Sequence, residues 1–222
     1  MGGNRIAYST RLVRLGGVSG LLYVLLLIPS FLIGRPDVVE EAASNQAVIE
    51  YYTAREGAFL LGNGVIVLFA AFFFLWFLGI LCGMLWHAES EGPWLVFVAL
   101  VGGLKFITLS RAGTVTEILY AATVSRFDSF EQDAQLAFLS LALSSWLYHF
   151  AQVGTSVMVS ATSLVVLETG VLPRWLALVG LLLALVALLH FLVPFFGTLA
   201  NLVWVALVSA LLLVDSGRAS TP

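Results

Sequence analysis

The chain has 222 residues, of which 60% are hydrophobic and 10% charged, and its mean hydropathy is +1.02. Because soluble domains carry about 25% charged residues, this composition excludes a soluble globular protein and indicates an integral membrane protein. The formal net charge of −3 is small and scattered, which argues against a nucleic-acid partner, since such partners require clustered basic residues.

Six continuous apolar runs follow one another along the chain. A membrane-spanning helix needs about 20 mostly apolar residues, and every backbone polar group must be bonded within the segment. Continuous apolarity favours helices, whereas membrane strands alternate apolar and polar residues. The sequence therefore predicts an all-α, six-helix transmembrane bundle that forms a single domain, with spans at about 15–34, 58–86, 93–112, 136–167, 174–193 and 196–214.

Positive charge near the N-terminus predicts the orientation. Arg5, Arg11 and Arg14 precede the first span, and basic residues beside a span tend to stay cytoplasmic. Both termini of a six-span chain are then cytoplasmic. No small-residue cleavage site follows the first run, so this run is predicted to be an uncleaved span rather than a signal peptide.

The first outer loop, after Pro36, is predicted to contain a short amphipathic helix. Asp37 is placed to cap its N-terminus, and good helix formers follow. The apolar face would contain Val38, Val39, Ala42, Ala43 and Ile49. We expect this helix to lie on the outer surface and to lead into span two.

Span three carries a charge near its middle. With Pro93 at the inner surface, Lys105 would lie about 16–18 Å deep, close to the bilayer midplane. A lysine there costs about 2.5–3.5 kcal/mol and usually faces the bundle interior at a functional site. The structural alternatives are a tilted helix with a snorkelling lysine, or a lysine that donates to backbone carbonyls.

The helical pattern of span three continues to about residue 124, which predicts a long hairpin with span four that protrudes or tilts. Arg111 is expected near the outer interface as an anchor, and Glu117 is expected beyond it in solvent.

Span four contains a polar stripe. Ser145, His149, Gln152 and Ser156 recur at spacings of four, three and four, which places them on one helix face. If the stripe faces Lys105, the two helices frame a net-positive pocket for the anionic or hydrogen-bonding head of an amphiphile. The predicted ligand-binding residues are Lys105, His149, Gln152, Ser145, Ser156 and Arg111. Alternatively, the stripe forms interhelical hydrogen bonds of about 0.6 kcal/mol each that specify only packing.

No cofactor or metal is predicted from the histidines and the cysteine. Cys82, the only cysteine, cannot form an intrachain disulfide and is expected to be a small buried hydrophobe. His87, His149 and His190 are expected at the inner end of span two, mid-span four and the outer end of span five. Because two axial haem ligands share one depth, a bis-histidine haem is not expected. A haem or pigment on His149 alone stays open.

Known catalytic motifs are absent from the sequence, and no paired carboxylates lie within the spans. We therefore assign no catalytic residue, and an enzyme is the least favoured class. Small-residue faces, such as Gly16 with Gly20 and Gly79 with Gly83, suit either internal packing or docking of a second copy or another membrane protein.

Three stretches carry a resemblance to a known group of proteins: "QAVIEYYTAREGAFLLGNGV" (46–65), "FFFLWFLGIL" (72–81) and "TGVLPRWLALVGLLLALV" (169–186). Together they resemble an uncharacterised family of six-span bacterial membrane proteins with a domain of unknown function. The resemblance implies a helical bundle in the bacterial plasma membrane and no established activity, and the usual family sequence does not single out Lys105. Two functions remain open: a module that binds a lipid or other amphiphile, and a non-catalytic subunit of a larger membrane complex.

Overall fold

The computed structural model describes residues 10–34, 44–54, 56–89, 92–192 and 194–218, and all secondary structure in these ranges is helical. A π-helical segment, Leu60–Ile66, lies between the third and fourth helices, and a 3₁₀ turn, Leu189–Phe191, follows the seventh. The helices are α1 (Thr10–Gly34), α2 (Asn45–Thr53), α3 (Glu56–Phe59), α4 (Val67–Ala88), α5 (Trp94–Arg126), α6 (Ala134–Thr169), α7 (Arg174–Leu188) and α8 (Pro194–Arg218).

Six helical segments of the described ranges are long and apolar enough to cross a membrane. They are Thr10–Leu32, Leu60–Ala88, Trp94–Arg126, Ala134–Thr169, Arg174–Phe191 and Phe196–Val214. The predicted all-α, six-helix bundle is therefore confirmed, and the chain is a multi-pass membrane protein. Among the starts of these six segments, the largest difference is in the first, which begins at Thr10 rather than at residue 15.

The six long helices form a closed ring in which each packs on the next: α1, α4, α5, α6, α7, α8 and back to α1. Helices α1, α5 and α7 begin on the same side of the ring, which we call the terminal side. Helix α2 contacts the far ends of α5 and α6, on the opposite side, which we call the cap side. The most extensive contact between two helices is that of α5 with α6.

Glycines allow that close approach. A Cβ atom at Gly102 would lie 2.6 Å from the backbone nitrogen of Met158, and one at Gly154 would lie 2.6 Å from the backbone nitrogen of Phe106. The two backbones therefore touch where these glycines cross, as small residues permit in membrane helices. By contrast, a Cβ at Gly79 of α4 would meet nothing within 4 Å, so Gly79 lies on the outside.

The α5–α6 hairpin is longer than a bilayer is thick. With 33 and 36 residues, the two helices extend about 50 and 54 Å at 1.5 Å per residue, against a hydrocarbon core of about 30 Å. The expected protruding or tilted hairpin follows from these lengths. Its cap-side end forms a second hydrophobic cluster, separate from the main core, in which Tyr120, Ala121 and Ala137 are buried.

Helix α2 completes this second cluster by burying Val48 and Tyr52 on the hairpin. It begins at Asn45 and is capped by Ser44, whose hydroxyl oxygen accepts a hydrogen bond from the Ala47 N–H at 3.2 Å. The predicted cap, Asp37, lies outside the described residues, as do Val38, Val39, Ala42 and Ala43. Helix α2 thus covers the hairpin itself.

Candidate functional site

Lys105 lies on the exposed side of α5. Helix α5 contacts α6 through Gly102 and α4 through Gly103, where a Cβ would lie 2.6 Å from Leu78. The exposed side also carries Val101, Leu104 and Thr108. The lysine therefore points away from the bundle interior, unlike the usual intramembrane charge.

The polar stripe of α6 faces away from α5. Gly154 lies at the α5 contact, and Gln152, two residues earlier, is about 200° away around the helix. The buried side of the stripe faces α7, because Ser163, which continues the stripe, lies against Gly180 of α7. The structure thus separates Lys105 from Gln152, and the two residues do not frame the net-positive pocket expected if the stripe faced Lys105.

Gln152 is the most unusual residue of the stripe. Its side chain is 0% exposed, and neither its Oε1 nor its Nε2 atom has a hydrogen-bond partner among the described residues. An unsatisfied buried amide costs about 1–3 kcal/mol. Gln152 therefore has capacity to bind a polar group that the described residues do not supply.

Hydrogen-bonded side chains lie beside the stripe in the bundle centre. The Tyr23 hydroxyl donates to Asn201 Oδ1 at 2.8 Å, and Asn201 Nδ2 donates to Thr155 Oγ1 at 3.4 Å. Thr155 is three residues beyond Gln152, so the two occupy neighbouring positions on α6. This chain of contacts joins α1, α8 and α6.

We expect the Tyr23–Asn201 contact to stabilise the bundle by about 0.6–1.7 kcal/mol, the range of hydrogen bonds between membrane helices. A double-mutant cycle with Tyr23→Phe and Asn201→Ala, followed by thermal unfolding in detergent, measures this coupling. Strictly additive effects of the two substitutions would contradict the contact.

His149 and His190 lie together, contrary to the expectation that they occupy different depths. Their ring centroids are 5.0 Å apart, and His190 is buried against Tyr148 and Gly197. The expectation was wrong because the cap-side end of α6 continues beyond the other helices, which moves His149 away from the midplane. Nδ1 of each ring has no hydrogen-bond partner among the described residues.

The histidine pair lies beside exposed aromatic side chains on the outside of the bundle. Trp146 contacts the rings of His149 and Phe191 at centroid distances of 5.9 and 5.8 Å. Trp146, Phe150 and Phe191 are each more than half exposed. Ser145 is exposed, and its Oγ atom lies 3.5 Å from His149 Nε2. Ser156, further along the stripe, is half-buried. We call Trp146, His149, Phe150, His190 and Phe191 the lateral patch.

Arg111 has a structural role beside the π-helical segment. Its Nη1 atom donates to the Val67 carbonyl oxygen at 3.2 Å, and Ser30 Oγ donates to the Gly62 carbonyl oxygen at 3.0 Å. A π-helical segment disturbs the regular i→i+4 hydrogen bonds, so carbonyl groups there need other donors. Arg111 thus binds backbone, on a different side of the bundle from the lateral patch.

Glu117 is 1% exposed, so the expectation of a solvated side chain was wrong. The Tyr51 hydroxyl donates to its Oε1 atom at 3.1 Å, and Ser144 Oγ donates to its Oε2 atom at 3.3 Å. The carboxylate thereby joins α2, α5 and α6 at the cap side. Helical spacing could have revealed its burial, because residues 106, 110, 113, 117 and 120 share the packed face of α5.

The described residues contain no group of three or more His, Cys, Asp or Glu side chains that could hold a metal ion. His87 is exposed at the terminal side, with Nδ1 2.7 Å from the Gly83 carbonyl oxygen. Cys82 is buried, as expected for a small hydrophobe.

We compared the chain with protein-family models, with curated proteins and with solved structures. None of the three comparisons finds a match.

Proposed function

We propose that this protein binds the polar head of an amphiphilic molecule, a lipid or a quinone-like compound, between α6 and the turn that joins α7 to α8. The observation that carries the proposal is the Gln152 amide, which is completely buried and has no hydrogen-bond partner among the described residues. Burial of such a group is costly unless a ligand or ordered water bonds it. His149 lies three residues before Gln152 on the same side of α6 and connects it to the lateral patch.

The residue types favour a neutral, hydrogen-bonding head group. Gln152, Tyr148, His149 and His190 supply both donors and acceptors, whereas Lys105 lies on another helix face and adds no positive charge here. This site differs from the one expected from the sequence, in which Lys105 would have attracted an anionic head.

The lateral patch supports entry from the lipid. Trp146, Phe150 and Phe191 expose aromatic rings beside the histidines, and Trp side chains favour the membrane interface, where an apolar body meets a polar environment. An amphiphile could place its head at His149 and Gln152 while its tail remains along these rings in the bilayer.

Native mass spectrometry of the gently solubilised protein tests the proposal, with Gln152→Met beside Lys105→Met as the matched control. We expect one bound small molecule per chain in the wild type and in Lys105→Met, with occupancy at least about tenfold lower in Gln152→Met, as loss of about 1.4 kcal/mol implies. Bare chains in all three samples, or equal retention, would overturn the binding function.

The same substitution has an expected effect on stability. Gln152→Met removes an unsatisfied amide and keeps a similar volume, so we expect ligand-free protein to become about 1–2 kcal/mol more stable. Thermal unfolding after delipidation measures this change. A clear loss of stability would show that the amide is already bonded within the fold, for example by ordered water, and needs no ligand.

We also propose that the protein resides in the bacterial plasma membrane with both termini in the cytoplasm. The distribution of basic residues supports this orientation, since Arg11, Arg14 and Arg174 are exposed at the terminal side, whereas Arg126 is exposed at the cap side. Basic residues stay on the cytoplasmic side of a membrane. Membrane-impermeant labelling of single cysteines at residues 128 and 174, in a Cys82→Ala background, distinguishes the two orientations.

An accessory subunit is the second candidate function. It is favoured by one observation, the exposed Lys105 at membrane depth, which suits a contact with another protein.

A further inference from the structure

Lys105 is a charged side chain on the outside of the bundle at membrane depth. It lies eleven residues after Trp94, the first residue of α5, and therefore about 16 Å from the terminal side at 1.5 Å per residue. With Trp94 at the membrane surface, where Trp side chains are enriched, a hydrocarbon core of about 30 Å places the lysine near its middle. Its four-carbon stem is much shorter than the distance to either membrane surface.

The surroundings of Lys105 on this chain do not neutralise it. No hydrogen bond or ion pair of Lys105 occurs within the described ranges. The six spans contain only two carboxylates, Glu117 and Glu168. Glu117 bonds side chains at the cap side, and Glu168 is next to the last residue of α6 at the terminal side. Neither lies at the depth of Lys105.

The exposed face of α5 around Lys105 has a shape that allows another helix to pack against it. Val101, Lys105, Thr108 and Ala112 follow at spacings of four, three and four, which forms one ridge along α5. Thr108 and Ala112 are small, and small residues permit close approach of membrane helices. Thr108 also offers a second polar group beside the lysine.

We infer that this ridge is a docking surface for a transmembrane helix of a different protein that carries an Asp or Glu at mid-depth. Intramembrane charges are usually paired with one another, and the partner must supply the negative charge because the described part of this chain has none at that depth. A second copy of this chain would instead add another lysine. The inference concerns α5 and is independent of the amphiphile site on α6.

A synthetic leucine-rich transmembrane peptide with one central Asp is the probe, and the same peptide with a central Leu is its control. The full-length protein, labelled with a donor dye at its N-terminus, and the acceptor-labelled peptide are incorporated into uncharged phosphatidylcholine vesicles. Energy transfer reports their association. We expect the Asp peptide to bind about 5- to 30-fold more tightly than the Leu peptide, which corresponds to the 1–2 kcal/mol of polar contacts between model membrane helices.

Variants of the ridge complete the test. Lys105→Arg should retain the preference for the Asp peptide, because it keeps the charge, and Lys105→Met should abolish it. Both changes are on an exposed position, so the fold is expected to be unaffected. Equal binding of the two peptides, a preference that survives in Lys105→Met, or self-association of the protein that depends on Lys105 would overturn the inference.

Discussion

Gly154→Ala is expected to lower the stability of this protein by about 2–3 kcal/mol, the cost of placing one extra carbon in a fully packed interior. The new Cβ would lie 2.6 Å from the Phe106 backbone nitrogen and 2.7 Å from the Gly102 carbonyl oxygen. Backbone atoms inside a helix cannot move aside as a flexible side chain can. Helices α5 and α6 would therefore have to separate along their length.

Thermal unfolding in mild detergent measures this effect. A loss of 2–3 kcal/mol corresponds to a decrease of about 4–12 °C in the melting temperature of a chain of this size. Gly79→Ala is the matched control, because its Cβ would meet nothing within 4 Å and alanine is the better helix former by about 1 kcal/mol. Equal melting temperatures for the two variants would contradict the close crossing of α5 and α6.

Glu117→Gln is expected to release α2 from the hairpin. The substitution keeps the size of the side chain but removes the negative charge that accepts hydrogen bonds from Tyr51 and Ser144. Hydrogen bonds to charged groups contribute about 1.5–3 kcal/mol each. Amide hydrogen exchange across Asn45–Thr53 should therefore become about 10- to 150-fold faster, while exchange in the ring of six helices changes little.

Glu50→Gln is the control for this experiment. It makes the same chemical change on α2 itself, but Glu50 is exposed, and removing an exposed charge usually changes stability by less than about 0.5 kcal/mol. If exchange in α2 responded equally to both substitutions, the buried carboxylate would not be what holds this helix on the hairpin.

Helical spacing predicted which polar residues share a face, but it could not determine what that face contacts. Ser145, His149 and Gln152 do lie along one side of α6. Their partner depends on how α6 is rotated within the ring, and Gly154 decides that rotation by contacting α5. The stripe consequently faces α7, and Lys105 lies outside.

The position of His149 across the membrane was predicted poorly for a similar reason. Hydropathy marks where an apolar run begins and ends, but α6 remains apolar where it leaves the ring and packs with α2. His149 therefore lies nearer the cap side than the centre of its run suggested, and it meets His190. The burial of Glu117 was missed because a charged residue beyond a span resembles a solvated one, although its helical spacing places it on the packed face of α5.

The sequence by itself determined the class of the protein, the number of spans and their approximate bounds, because an apolar run in hydrocarbon must satisfy its backbone internally and does so as a helix. These properties depend on each segment alone. The tertiary structure decided which residues meet: the close contact of Gly102 with Gly154, the pairing of His149 with His190, the isolation of the Gln152 amide and the exposure of Lys105. Such contacts depend on the rotation and offset of neighbouring helices, which packing sets between segments distant in the chain.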